Sequence, residues 1–264
     1  VEFLFEPIAA GVDFETGLTQ DKIVLVVDIG GGTTDCSMVK MGPSHIKNDD
    51  RQADFLAHTG QRIGGNDLDI QLAYHSLMPL FGLGTQLKKG IDVSNVPFLR
   101  AVSINNVADQ TIFTSKEYVW DLKNLLLDAA KPELIQRLID LQATKQNHRL
   151  VRSAELTKIA LSELEQKHLE LDYIENGLSK MIDQNCFSSA IKRPLNSIQK
   201  LIKEAVQQAG VNPDIVYITG GSAKSPIVRK AITEIIPGVE ILDGDYYGSV
   251  AAGLTKWAYK LWGG

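Results

Sequence analysis

Five consecutive apolar residues, Ile23 to Val27, run directly into Asp28-Ile29-Gly30-Gly31-Gly32-Thr33-Thr34-Asp35. A run of that length, bounded by Gln20-Asp21-Lys22 and by glycines, predicts a strand buried on both faces. Beyond the glycines the chain alternates, with Cys36, Met38 and Lys40 on one side and Ser37, Val39 and Met41 on the other. That pattern predicts a returning antiparallel strand. The glycines are therefore expected to close a hairpin, not to turn a strand into a helix. A turn without Cβ atoms lets backbone N–H groups crowd around an anion, and positive φ is open to it. Thr33 adds a hydroxyl donor for a phosphate oxygen, and Asp28 and Asp35 are candidates to hold Mg2+ through water. No Gly-Lys-Ser/Thr follows, so the segment is not a Walker loop. The plain alternative is a tight hairpin whose aspartates are ordinary turn formers.

The rest of residues 1–61 reads as β-rich, with a polar loop over 42–54 and a strand over 53–58. Residues 66–190 read mostly as helix. Asn66 and Asp67 stand where an N-cap belongs. Ser115 is placed to cap a helix from Lys116 to about Ala130, Pro132 opens another, and a further helix is expected over 153–166. Glu155, Lys158 and Ser162 are spaced to share one helix face, which is equally the pattern of a solvated Glu–Lys pair. Toward the end, Leu195–Ala209 is amphipathic and Gly210 follows as its stop. Ile215-Val216-Tyr217-Ile218 is a short strand that leads into Gly220-Gly221-Ser222, and Pro226 opens the next helix. Glycines at such a junction admit a flat base or ribose, and the helix start favours phosphate, although many Gly-Gly junctions are purely structural. A strand over 239–242 and a helix over 248–262 complete the chain.

Composition narrows the function classes. The net charge is -5 and no Lys/Arg stripe is present, which argues against nucleic acid as a partner. No apolar run approaches the ~20 residues of a membrane-spanning helix. Two cysteines, Cys36 and Cys186, form neither a disulfide framework nor a metal motif, which points to a reducing, cytoplasmic compartment. The chain opens at Val1 rather than Met and reads as a piece of a longer polypeptide.

Five blocks occur in one order: Glu6-Pro7-Ile8-Ala9-Ala10-Gly11, the Asp28–Asp35 segment, Arg62-Ile63-Gly64-Gly65-Asn66-Asp67, the Glu155/Lys158/Ser162 set, and Gly220-Gly221-Ser222. In that order and spacing the chain resembles the ATPase module of the DnaK-type heat-shock chaperones, over essentially its whole length. Through Asp28–Asp35 and Asp245–Gly253 it looks most like the YegD-like branch. The resemblance implies an α/β, actin-like (ribonuclease H-like) second lobe, a mixed sheet with helices. Residues 1–61 and 190–264 would form the inner subdomain, and 62–189 an inserted, mainly helical α+β subdomain. ATP or ADP with Mg2+ would lie in a cleft shared with a first lobe. Asp28 would orient the attacking water or the hydrated Mg2+, Thr33 would reach the γ-phosphate, and Asp35 would support the metal shell. Glu6 would lie near the catalytic centre. Gly64 and Gly65 would belong to the nucleotide site. Gly220, Gly221 and Ser222 with Lys224 would cradle the adenosine, met by Glu155, Lys158 and Ser162. Partners would be the first lobe and an exchange factor or co-chaperone.

Departures from the family pattern qualify these expectations. The family's other phosphate loop, its catalytic lysine and a second metal-binding aspartate belong to the first lobe, so this chain alone is expected not to hydrolyse ATP. Ile159 and Lys224 stand where the family tends to carry arginines, which lowers the expected adenine affinity. The stretch from about Met78 to Leu150 is longer than in the chaperones, which would change the grip of an exchange factor or be a tolerated elaboration. Two other classes fit the same superfamily: a sugar- or acetate-kinase-like phosphotransferase, for which no substrate base stands out, and a non-enzymatic actin-like structural protein.

Overall fold

A computed structural model describes residues 6–48, 50–244 and 249–262, with backbone only for Glu6, Asp13, Ser249, Val250 and Leu261. The chain divides into two compact units, residues 1–65 with 193–264, and residues 66–192.

The first described element is a helix, α1 (Glu6–Thr16), which corrects the β-rich reading of this region. Pro7 near its start costs no hydrogen bond. Ile8, Ala9, Ala10 and Val12 are buried. Gly11 and the β-branched residues hide this helix from a propensity argument, and packing decides it. The strands β1 (Lys22–Ile29), β2 (Thr34–Met41) and β3 (Phe55–Gln61) follow. β1 and β2 pair antiparallel across the glycine turn, as the alternation predicted.

The second unit runs through α2 (Gly65–Leu72), α3 (Val96–Val102), α4 (Val107–Phe113), α5 (Tyr118–Asp128), α6 (Pro132–Ala143) and α7 (Asn147–Ala160). It closes with the hairpin β4 (Gln166–Glu170)–β5 (Ser179–Asp183) and α8 (Gln184–Ala190). Ser115 accepts a hydrogen bond from the Tyr118 amide, but α5 starts at Tyr118 with Glu117 in the N-cap position, so the helix begins two residues later than the expected Lys116 and Ser115 is not its N-cap. α7 begins six residues before the expected Ser153 and ends before Ser162. The β4–β5 hairpin was not anticipated; its residues are polar and mostly exposed and carry little periodic signal. Phe81, Phe98, Phe113 and Phe187 are fully buried in this unit.

The chain returns to the first unit through α9 (Lys192–Ala209), β6 (Ile215–Thr219), α10 (Pro226–Ile235), β7 (Glu240–Asp243) and α11 (Ser249–Trp262). Gly210 at φ +67° ends α9 in the left-handed conformation. The sheet order is β3-β2-β1-β6-β7, with β6 parallel to both β1 and β7. This mixed sheet with helices is the anticipated α/β class.

One sheet face carries Val24, Val26, Val39, Met41 and Tyr217 against Ile8 of α1. The opposite parity, Leu25, Val27, Cys36, Met38, Val216 and Ile218, is also buried, and Thr59 donates from β3 to the Leu201 carbonyl of α9. α11 packs on α1. A Cβ at Gly253 would lie 1.7 Å from the Ala9 carbonyl oxygen, so glycine sets how closely those helices approach.

The 42–54 connection, read as a polar loop, buries Arg51 and Asp54. Arg51 donates two hydrogen bonds to Glu15 of α1, at 2.8 and 2.9 Å, and a third to Asp54. Asp54 also meets His45 Nδ1 at 2.6 Å, and Glu15 accepts from the Gly42 amide. All three charged groups are at most 5% exposed, so each needs the others. The network anchors the C-terminal end of α1.

Candidate functional site

The register of β1 with β2 sets Asp28 opposite Asp35 and Val26 opposite Ser37. Directly paired residues share a face, so both carboxylates point to the side of the sheet that α1 covers. In β6, Thr219 pairs with Asp28, and its hydroxyl donates to Asp28 Oδ1 at 2.9 Å. That bond holds one oxygen of Asp28 in place.

The glycine blocks converge at this end of the sheet. The Gly30 amide donates to the Thr33 carbonyl at 2.9 Å and closes the hairpin. Behind it, the Gly65 amide donates to the Gly30 carbonyl at 2.9 Å, and Thr34 donates to the Ile63 carbonyl at 2.8 Å. A Cβ at Gly64 would lie 2.7 Å from Gly30 O and 2.8 Å from the Gly31 carbonyl carbon. On the β6 side, Gly220 has φ +84°, and a Cβ there would lie 2.2 Å from Ile29 O and 2.9 Å from Asp28 Oδ1. Gly221 to Lys224 form one 3-10 turn before α10, so this junction opens a tight turn first and the α-helix after it. Ser222 is buried and Lys224 exposed.

Within the hairpin turn the pattern differs. A Cβ at Gly32 would meet nothing within 4 Å, and one at Gly30 would make only ordinary contact, 3.5 Å from Thr33 O. None of Gly30, Gly31 and Gly32 has positive φ. The expectation that the turn exploits left-handed backbone is thus corrected: Gly220 uses that freedom, while the hairpin glycines keep space open beside exposed Thr33.

These residues fit a hydrated Mg2+ carried in with phosphates. Among the described residues, no group of three or more His, Cys, Asp or Glu side chains is arranged to hold a metal by itself. Two carboxylates on one face beside an open backbone turn are instead the donor set for an ion that keeps its water and shares phosphate oxygens. Cys36 takes no part: burial first, and then the Asp35 charge, push its thiol up to about 12.

Sequence reasoning missed Ser37, His58, Gly60 and Thr219 at this site. Ser37 was legible, since it shares the alternation of Asp35. The others join through β3 and β6, which no local pattern announces.

Glu6 opens α1, and its side chain lies outside the described part, as do residues 245–248 of the Asp245–Gly253 segment. Glu155, Lys158 and Ser162 belong to the second unit. Lys158 Nζ stands 2.8 Å from Asp69 Oδ1 and donates to Oδ2 at 3.0 Å, and both side chains are largely buried. Burial raises the Asp69 carboxyl to about 6 against the opposing pull of Lys158. Glu155 pairs with Arg152 at 2.5 Å. Ser162 lies in a turn beyond α7, so the expected single helix face is broken by the helix end.

The Hsp70 protein family profile matches residues 3–99 and 120–241. Curated relatives include the chaperone protein DnaK of Trichormus variabilis, 25% identical over 250 residues, which is 91% of this chain and 28% of the relative. The DnaK of Thermus thermophilus is 23% identical over 242 residues, 88% of this chain and 30% of the relative. The chaperone protein HscA of Klebsiella pneumoniae is 23% identical over 235 residues, 89% and 28% respectively. The chain therefore spans less than a third of the length of the relatives it matches.

Proposed function

This chain belongs to the Hsp70 family, and on that premise we propose that it is the nucleotide-binding second lobe of a DnaK-like ATPase. The observation that carries the proposal is the convergence of Asp28, Asp35, Thr33 and the three glycine blocks at one sheet end, with open space over Gly32. A bound Mg2+ supplies charge neutralisation for the phosphates. Asp28, steadied by Thr219, orients the attacking water or a water of the metal shell. Asp35 supports that shell from the opposite strand. Thr33 and the backbone amides around it bind phosphate oxygens. Gly220, Gly221 and Ser222 with Lys224 receive the adenosine. The adenine-side roles that the family resemblance gives Glu155, Lys158 and Ser162 belong to the same proposal, and the Lys158–Asp69 pair competes with them.

Hydrolysis by such a site rests on positioning and charge stabilisation rather than covalent chemistry. The family's remaining phosphate-binding groups lie on a first lobe, so turnover is expected from the complete polypeptide and not from this chain alone. A cytoplasmic setting, a kinship with the YegD-like branch, and an exchange factor or co-chaperone as partner are part of this reading. Among the described residues no helix is long and apolar enough to cross a membrane.

The test is phosphate release in single turnover by the complete polypeptide that contains this chain, beside Asp28→Asn and Thr33→Ala. Each variant should lose roughly two to three orders of magnitude in rate while still folding. ATP binding without hydrolysis in the unaltered protein would end the ATPase reading. Undiminished hydrolysis in both variants would end the assigned roles.

A further inference from the structure

The geometry points to His58 as a positioning residue that fixes the Asp35 carboxylate for the divalent cation accompanying the nucleotide. This rests on the nucleotide-site reading above. A cavity of about 180 Å³ lies between α1 and the sheet, bounded by Pro7, Ala10, Asp28, Asp35, Ser37 and His58. Three of its walls follow from strand register. Ser37 pairs with His58, Asp35 pairs with Gly60, and Asp28 pairs with Asp35.

The imidazole is held from behind. Ser37 Oγ lies 2.9 Å from His58 Nδ1, and Ser37 is only 1% exposed, so the anchor is rigid. The tautomer in which the Ser37 hydroxyl donates to Nδ1 carries its ring proton on Nε2, on the side of Asp35, and it is the one this positioning role requires. Nε2 stands 3.7 Å from Asp35 Oδ1. That gap exceeds a hydrogen bond, and a modest turn of the soft terminal carboxylate torsion closes it.

The approach depends on a missing side chain. A Cβ at Gly60 would lie 2.5 Å from Asp35 Oδ1 and 3.5 Å from His58 Nε2. Glycine at 60 thus leaves the carboxylate and the ring facing one another across clear space. A carboxylate that supports a metal shell needs its orientation set from behind, and outer partners of this kind strengthen metal binding. His58 is about half exposed, so its replacement leaves the core of the sheet intact.

ADP affinity is measured on the complete polypeptide with Mg2+ and again with the metal chelated, for the unaltered protein, His58→Ala and His58→Gln. The expected result is a His58→Ala protein that binds metal-free ADP as before but loses about tenfold of the gain that Mg2+ brings. His58→Gln, which keeps an N–H donor at similar reach, should recover most of that gain. The inference is overturned if His58→Ala keeps the full Mg2+ gain, or if it weakens metal-free and metal-bound ADP alike, as a merely structural residue would. If the unaltered protein binds no ADP at all, the nucleotide-site reading falls first and takes this inference with it.

Discussion

The hairpin turn at Gly30–Thr33 and the Lys158 side chain on α7 were singled out on similar grounds, as motif residues of a nucleotide site. Their surroundings are opposite. Around the turn the chain leaves space unfilled: a Cβ at Gly32 would meet nothing within 4 Å. Around Lys158 the chain has supplied its own counter-ion, with Asp69 at 2.8 Å in a largely buried setting. The contrast separates residues the fold holds in reserve from residues the fold already uses. Glycine shows the same division. Gly220 and Gly64 are demanded by backbone packed against them, whereas Gly30 and Gly32 are not. A glycine that intramolecular packing does not require is the better indicator of a ligand.

The largest test of that division is Gly220→Ala. It adds a Cβ at φ +84° that collides with the Ile29 carbonyl, so strain and overpacking together should cost about 3–4 kcal/mol. Urea unfolding of the chain reads this directly, and a loss under 1 kcal/mol would break the packing argument.

Next comes the Asp69–Lys158 pair. The folded Asp69 carboxyl is raised to about 6 from 3.8, so the folded state binds more protons between those values. Stability from this group is therefore fully present below pH 3.8 and is lost as pH rises through about 6, by roughly 3 kcal/mol. In Asp69→Asn that part of the pH slope should vanish. An unchanged slope would mean that Asp69 is not held as the structure has it.

The smallest effect is the sharpest contrast. Gly64→Ala should lose about 2 kcal/mol by pressing on the Gly30–Gly31 backbone. Gly32→Ala should stay within about 0.5 kcal/mol of the unaltered chain while weakening ADP binding in the complete polypeptide. Equal stability losses in the two variants would erase the distinction between reserved and committed glycines.

Much of this was legible from local pattern. The β1–turn–β2 hairpin followed from a five-residue apolar run, three glycines and period-2 alternation, each a property of adjacent residues. The long amphipathic α9 and its Gly210 stop followed from helical period and backbone freedom. The helix α1 and the hairpin β4–β5 were not legible, because one carries a glycine and β-branched residues and the other is two five-residue strands that bury only Leu169 and Ile182. Site composition divides the same way. Asp28, Thr33, Asp35 and the glycine blocks stand together in short motifs, and the sequence by itself determined that a glycine turn flanked by two carboxylates would be built on a strand pair. Tertiary structure alone decided what surrounds it. Thr219 reaches Asp28 from 191 residues away, His58 meets Ser37 through the β2–β3 register, and Asp69 claims Lys158 across 89 residues of chain. Such partners are chosen by strand register and by the burial of charge, and both depend on the whole packed chain rather than on any window of it.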